Sequence, residues 1–195
     1  MAIFTVTTSS GGKQSIDSQS VSRVIDNGTS RTVWIGPADV AAKKNTQVTE
    51  ETKSVIVKDT LAAIEKASGL MSIKNVTTGK KTLIGGGHVS RVLDDGTRRL
   101  VWFGPGEIHG VMSTSIKTDA SLSNIYTKLG LVKLTPSESY LKNVAAGPKY
   151  VSSVGTSGTG AVIYFGNKLT ARGVYASTLS VKESVSTLKS KGIGR

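Results

Sequence analysis

The chain has 195 residues, with 25 Lys and Arg against 13 Asp and Glu for a formal charge of +12, and it contains no cysteine. A disulfide framework and a thiolate zinc site are therefore excluded, while a 37% apolar share over this length suffices for a buried core. No stretch approaches the roughly 20 apolar residues of a membrane span, and Met1 to Val6 lacks the basic start and apolar run of a signal peptide, so no membrane contact is expected.

Ser and Thr make up roughly a quarter of the chain and Gly is abundant, a bias that suits strands and turns. The first strand signal is Ile3 to Thr8, followed by the glycine pair Gly11-Gly12. Val21 to Ile25 and Ser30 to Ile35 are β-branched and aromatic runs around Asp26-Asn27-Gly28-Thr29, and Asn-Gly between such runs predicts a β-hairpin. Gly36-Pro37 breaks the second strand, because proline cannot continue a central ladder. The polar stretch from Pro37 to Ile56 then reads as a long loop, a place where partner contacts concentrate. Ser54 to Val57 predicts a third strand. Asp59 stands where a helix would be capped, Leu61 and Ile64 follow at i, i+3 spacing, and Gly69 supplies the stop, so a short helix is expected near 60–68.

This series then recurs. Residues 21 to 37 read VSRVIDNGTSRTVWIGP, 89 to 105 read VSRVLDDGTRRLVWFGP, and 151 to 167 read VSSVGTSGTGAVIYFGN, aligned without a gap. The unit is about 62 to 68 residues long. Hairpins are accordingly expected at 21–35, 89–103 and 151–165. Gly28, Gly96 and Gly158 keep one column, as a turn with positive φ closed by a bulge would require. Exit strands are expected at Gly110 to Ile116 and Gly173 to Val181. Helices follow near 119–129 and 182–191, with Asp119 and Glu183 or Ser184 as caps and Gly130 and Gly192 as stops. Ile73 to Thr78 resembles the opening strand, whereas the third counterpart, near Lys133 to Val144, has diverged, and Pro136 to Pro148 reads as a second loop. The expected fold is a β-rich α+β chain of three degenerate repeats of about 65 residues, at 1–69, 70–130 and 131–195, each made of strand, β-hairpin, strand and short helix.

Chemistry is sparse. Of the two histidines, His88 falls opposite Ser20 and Tyr150 in the repeat and His109 opposite Arg172, so neither belongs to a shared design, and two isolated histidines offer no metal-ligand spacing. Gly85-Gly86-Gly87-His88 and Gly11-Gly12-Lys13 lack the Gly-Lys-Ser/Thr ending of a phosphate loop and read as bends. Asp26 and Asp94-Asp95 fit turn-forming roles. The ring column Trp34, Trp102 and Tyr164 is expected to pack between sheet and helix rather than to stack on bases. Arg23 and Arg31, and likewise Arg91 and Arg99, fall opposite one another if the hairpin loop has three residues. Like charges so placed repel, which makes these four arginines the candidate site for an anion or an acidic partner.

No catalytic residues, metal or cofactor are assigned. The expectation is a non-enzymatic structural protein that works by assembling, on composition and architecture a bacteriophage virion component such as a capsid decoration, cement or tail protein. Its partners would be other virion or assembly proteins, in an oligomeric setting, and its location the virion after synthesis in the host cytoplasm. The alternative is a basic nucleic-acid-binding protein gripping the phosphate backbone, since a pI near 10.0 is the electrostatic footprint of such a partner.

Overall fold

In the computed structural model, residues 2–36, 53–104, 115–165 and 177–194 are described. The hairpins form where the β-branched runs flank glycine: β3 (Val21–Asp26) with β4 (Arg31–Ile35), β8 (Val89–Asp94) with β9 (Arg99–Phe103), and β13 (Val151–Ser157) with β14 (Gly160–Phe165). The turn glycines have φ of 94°, 97° and 55°, a region only glycine enters without steric cost. In the first two turns Asp26 and Asp94 accept from the N–H of Gly28 and Gly96, each at 2.9 Å. Those loops have four residues rather than three, Asp26 pairing with Arg31 and Asp94 with Arg99. The bulge lies at the far end of the hairpin, not at the turn. Ser22, Ser90 and Ser152 are the extra residues, and each hydroxyl donates across the strand to the carbonyl of Trp34, Trp102 or Tyr164.

The exit strands are β5 (Lys53–Val57), β10 (Ser115–Thr118) and β15 (Ser177–Val181), which pair with β4, β9 and β14. The reading of Pro37 to Ile56 as one loop is thus corrected at Lys53, where pairing with Ile35 begins. The rest of that stretch, the Pro37 and Pro105 breaks, Asn167, Gly110 to Thr114 and Gly173 to Ala176 lie outside the described residues.

The helices are α1 (Leu61–Ser68), α2 (Leu122–Leu129) and α3 (Val185–Ser190). Their caps are hydroxyls, Thr60, Ser121 and Ser184, each accepting an N–H from three residues on at 3.2 Å. Asp59 and Asp119 are not caps, and of the two third-unit candidates Ser184 rather than Glu183 takes the position. Asp59 and Glu183 instead accept the backbone N–H of Thr7 and Thr135, fastening the leading segment of the first and third units to the residues before the helix. Leu61 and Ile64, Leu122 and Ile125 face the cores, and Gly69 and Gly130 end the first two helices in the left-handed region.

Each unit also opens with two strands rather than one: β1 (Ile3–Thr7) and β2 (Lys13–Asp17), β6 (Met71–Lys74) and β7 (Lys81–Ile84), β11 (Val132–Leu134) and β12 (Asn143–Ala146). A single 3-10 turn follows each pair, at Ser18–Ser20, Gly86–His88 and Pro148–Tyr150. The register places Met71 where Phe4 stands, since Phe4 pairs with Ile16 and Met71 with Ile84, so the counterpart of the opening strand begins at Met71 and not at Ile73. The second loop expected between Pro136 and Pro148 contains β12.

These leading hairpins determine the topology. The sheets have orders β5-β4-β3-β7-β6 and β10-β9-β8-β12-β11, so each takes three strands from one unit and two from the next; β13-β14-β15 and β1-β2 stand by themselves. The leading strand reaches back to the exit strand of its own unit through the bridges Thr8 to Val57, Asn75 to Thr118 and Pro136 to Val181. Three cores result, and β7 and β12 form walls between them. Leu83 faces the first core and Ile84 the second, while Ala145 faces the second and Ala146 the third, all fully buried. Burying one such leucine or isoleucine contributes about 1.5–3 kcal/mol.

Candidate functional site

The four candidate arginines are brought together in two equivalent places, but not as rungs. The four-residue turn sets Arg23 opposite Trp34 and Arg91 opposite Trp102, while Arg31 and Arg99 face the turn aspartates. The expected facing of like charges is therefore corrected. Arg31 Nε lies 3.3 Å from Asp26 Oδ1, and Arg99 Nε 3.2 Å from Asp94 Oδ1, so the acidic groups beside these arginines are the chain's own. The third unit has lost the whole rung, pairing Thr156 with Ala161.

Arg23 and Arg91 are 1% and 7% exposed, which withholds them from any docking partner. Arg23 Cζ lies 5.4 Å from the Trp34 ring and 5.4 Å from Phe103 of the next unit. Arg91 repeats the arrangement at 4.8 Å from Trp102 and 5.4 Å from Phe165. Burial pulls the Arg91 guanidinium down to about 10, so it remains charged at neutral pH. The aromatic faces then supply attraction worth up to about 2 kcal/mol for a desolvated cation.

The tryptophans consequently do not sit between sheet and helix. Val33, Val101 and Ile163, one residue earlier on the strand, occupy that face. Trp34 and Trp102 lie on the reverse face with the arginines. Tyr164, with Ser153 as its cross-strand neighbour in place of an arginine, is 37% exposed.

The remaining candidates also belong to the joints between units. His88 Nδ1 is 2.6 Å from Tyr150 Oη, joining the ends of successive 3-10 turns, and both side chains are buried. His109 lies outside the described residues. The glycine cluster serves close approach. A Cβ on Gly85, Gly86 or Gly87 would stand 2.1 Å from the Val21 carbonyl oxygen, 2.5 Å from that of Leu129 and 2.4 Å from that of Gln19. Gly147 repeats the first of these contacts, at 2.1 Å from the Val89 oxygen. With φ of −109° and −90°, Gly85 and Gly147 are required for space rather than for conformation.

A crevice of about 410 Å³ runs beside these turns, lined by Gln19, Gly69, Gly86, Lys128, Gly130 and Lys149. It meets α1 and α2 at their C-terminal ends, Gly69 and Gly130, where the helix dipole disfavours an anion, so the cluster lacks the α-helix N-terminus on which a phosphate loop relies. Among the described residues no group of three or more His, Asp and Glu could hold a metal ion, and no helix is long and apolar enough to cross a membrane. Scans against protein-family models, curated proteins and solved structures find no match to this chain.

What sequence reading missed at the site is the joint itself. Its signal was present: Gly85 and Gly147 share a column, and Phe103 and Phe165 follow the two arginine-bearing hairpins by one unit.

Proposed function

We propose that this chain is a non-enzymatic structural protein acting through repeated protein-protein contacts, of the kind that decorates, cements or extends a bacteriophage particle. The observation that carries this reading is the interlocking of units. Its buried cations, its buried histidine and its glycine cluster are all engaged in holding successive units in one serial array. Such an array offers similar surfaces at a repeated spacing to a repeated partner.

Nucleic acid is the second reading, favoured by the net charge of +12 and by the exposure of every described lysine. The lysines are spread over all three units rather than gathered in a stripe, which favours the first reading. The test is density-gradient sedimentation of lysates from cells that carry the gene, with and without nuclease. Sedimentation with particle-sized material that survives nuclease is the expected result. Protein left at the top of the gradient would overturn the assembly reading, and release by nuclease would replace it with the nucleic-acid one.

A further inference from the structure

Among the described residues, both halves of a third joint stand unused. A joint needs an acceptor edge and a donor hairpin: β7 adds to β3 and β12 to β8. β13 is the third acceptor, with the same serine bulge, and among the described residues no strand pairs with its outer edge. β1-β2 is the third donor, and the outer edge of β2 is likewise unpaired among the described residues. The register of the two existing joints would set Ile16 of one copy opposite Ser153 of another, Ser15 opposite Val154 and Gln14 opposite Gly155. Matching open edges of this heterologous kind add without limit unless the contact closes a ring.

The donor differs where the joint is tightest. At the existing joints the N–H of Gly85 donates to the Ser22 carbonyl at 2.9 Å, and that of Gly147 to Ser90 at 2.7 Å. The corresponding residue of the first unit is Asp17. Its φ and ψ of −77° and 123° nearly match the −90° and 119° of Gly147, so the backbone is the same and the side chain is the difference. A Cβ there would stand where those of Gly85 and Gly147 would meet a carbonyl oxygen at 2.1 Å. Asp17 also has a local task, its carboxylate accepting the Gln19 N–H at 3.0 Å.

Neighbouring columns agree. Leu83 and Ala145, buried in the preceding core, become the exposed Ser15. On the acceptor, Arg23 and Arg91 become Ser153, and Ile25 and Leu93 become Gly155.

We propose that Asp17 is a terminator, which prevents copies of this chain from adding head to tail, β2 of one on β13 of the next. The absence of native cysteine gives a clean readout. Gln14→Cys together with Gly155→Cys places facing thiols in different copies only if that docking occurs. In this background, oxidation of the parent should leave a monomer band. Asp17→Gly should give a ladder of linked dimers and trimers, strengthened by Ser15→Leu, and a mass in sedimentation that grows with concentration. Asp17→Ala loses the same Gln19 contact but keeps the Cβ, and should stay unlinked. A thermal transition recorded for each variant shows that it is folded. A ladder in the parent, a ladder with Asp17→Ala equal to that with Asp17→Gly, or no ladder in either glycine variant would overturn the proposal.

Discussion

The two joints share a backbone and differ in their side chains. In both, a glycine N–H donates to the carbonyl of a bulged serine, and an arginine lies between its own tryptophan and the next unit's phenylalanine. Between them, however, Leu83 becomes Ala145, and Gly86-Gly87-His88 becomes Pro148-Lys149-Tyr150. The first turn has neighbours on both sides, Gln19 and Leu129, whereas Pro148 and Lys149 of the second are exposed. Contact between main chains thus dictates the residue, while the filling of the wall tolerates a leucine or an alanine. Repeats that have diverged over most of their length retain the few positions where no Cβ fits.

The largest test of that contrast is Gly147→Ala. The new methyl meets the Val89 carbonyl oxygen, so β12 must leave β8, and a loss above about 3 kcal/mol is expected in urea unfolding. Gly12→Ala, whose methyl would meet only the Thr8 hydroxyl at 3.5 Å, should cost less than about 1 kcal/mol. Comparable losses would show that the close approach does not set the residue.

Arg91→Ala against Arg31→Ala comes next. The first removes a buried side chain wedged between two rings, for an expected loss of about 2–4 kcal/mol. The second removes the partner of Asp26, a turn carboxylate still open to water, and should cost about 1 kcal/mol or less. Equal values would mean that the arginine does not lock the second joint.

The smallest effect is expected at Asp95, in the exposed turn of the second hairpin. Hydrogen bonds from the backbone N–H of Arg98 and of Thr97, and from the Thr97 hydroxyl, hold its carboxyl down at about 2. Its folded value is below the unfolded value of about 3.9, so its contribution is complete above that value and is lost as pH falls through the folded value of about 2. Asp95→Asn should therefore lower the Tm slightly at pH 6, with the difference shrinking through about pH 2 and gone at about pH 1. A difference that does not shrink over that range would assign the effect to something other than this carboxylate.

The repeat, the three hairpins and the three helices were legible because each rests on a local rule: glycine at a positive φ, β-branched runs, i, i+3 leucines. The second leading strand was not. In β7 the adjacent Leu83 and Ile84 face two different cores, which erases the alternation by which a half-buried strand is recognised. The arginine register failed at the turn, since a loop of four residues at 27–30 in place of three at 26–28 moves the partner of Arg23 from Arg31 to Trp34. Asp59 was misassigned as a cap because it satisfies a distant backbone N–H rather than the adjacent helix, and Glu183 does the same in the third unit, where the alternative Ser184 takes the position. The glycine requirement at 85 and 147 was beyond local reading altogether, because the obstructing oxygen belongs to another unit.

The sharing of leading hairpins also orders events during synthesis. β3 has its right-hand neighbour in the array only after residues 81–84 have been made, and β8 only after residues 143–146. A nascent chain halted after Gly69 would hold the first helix and hairpin but present β3 with an open edge and Arg23 without Phe103 above it. Each unit is finished by the one translated after it, so the closing of sheets follows the ribosome by roughly one repeat, and a pause within 70–80 would be the interval of greatest exposure to mispairing.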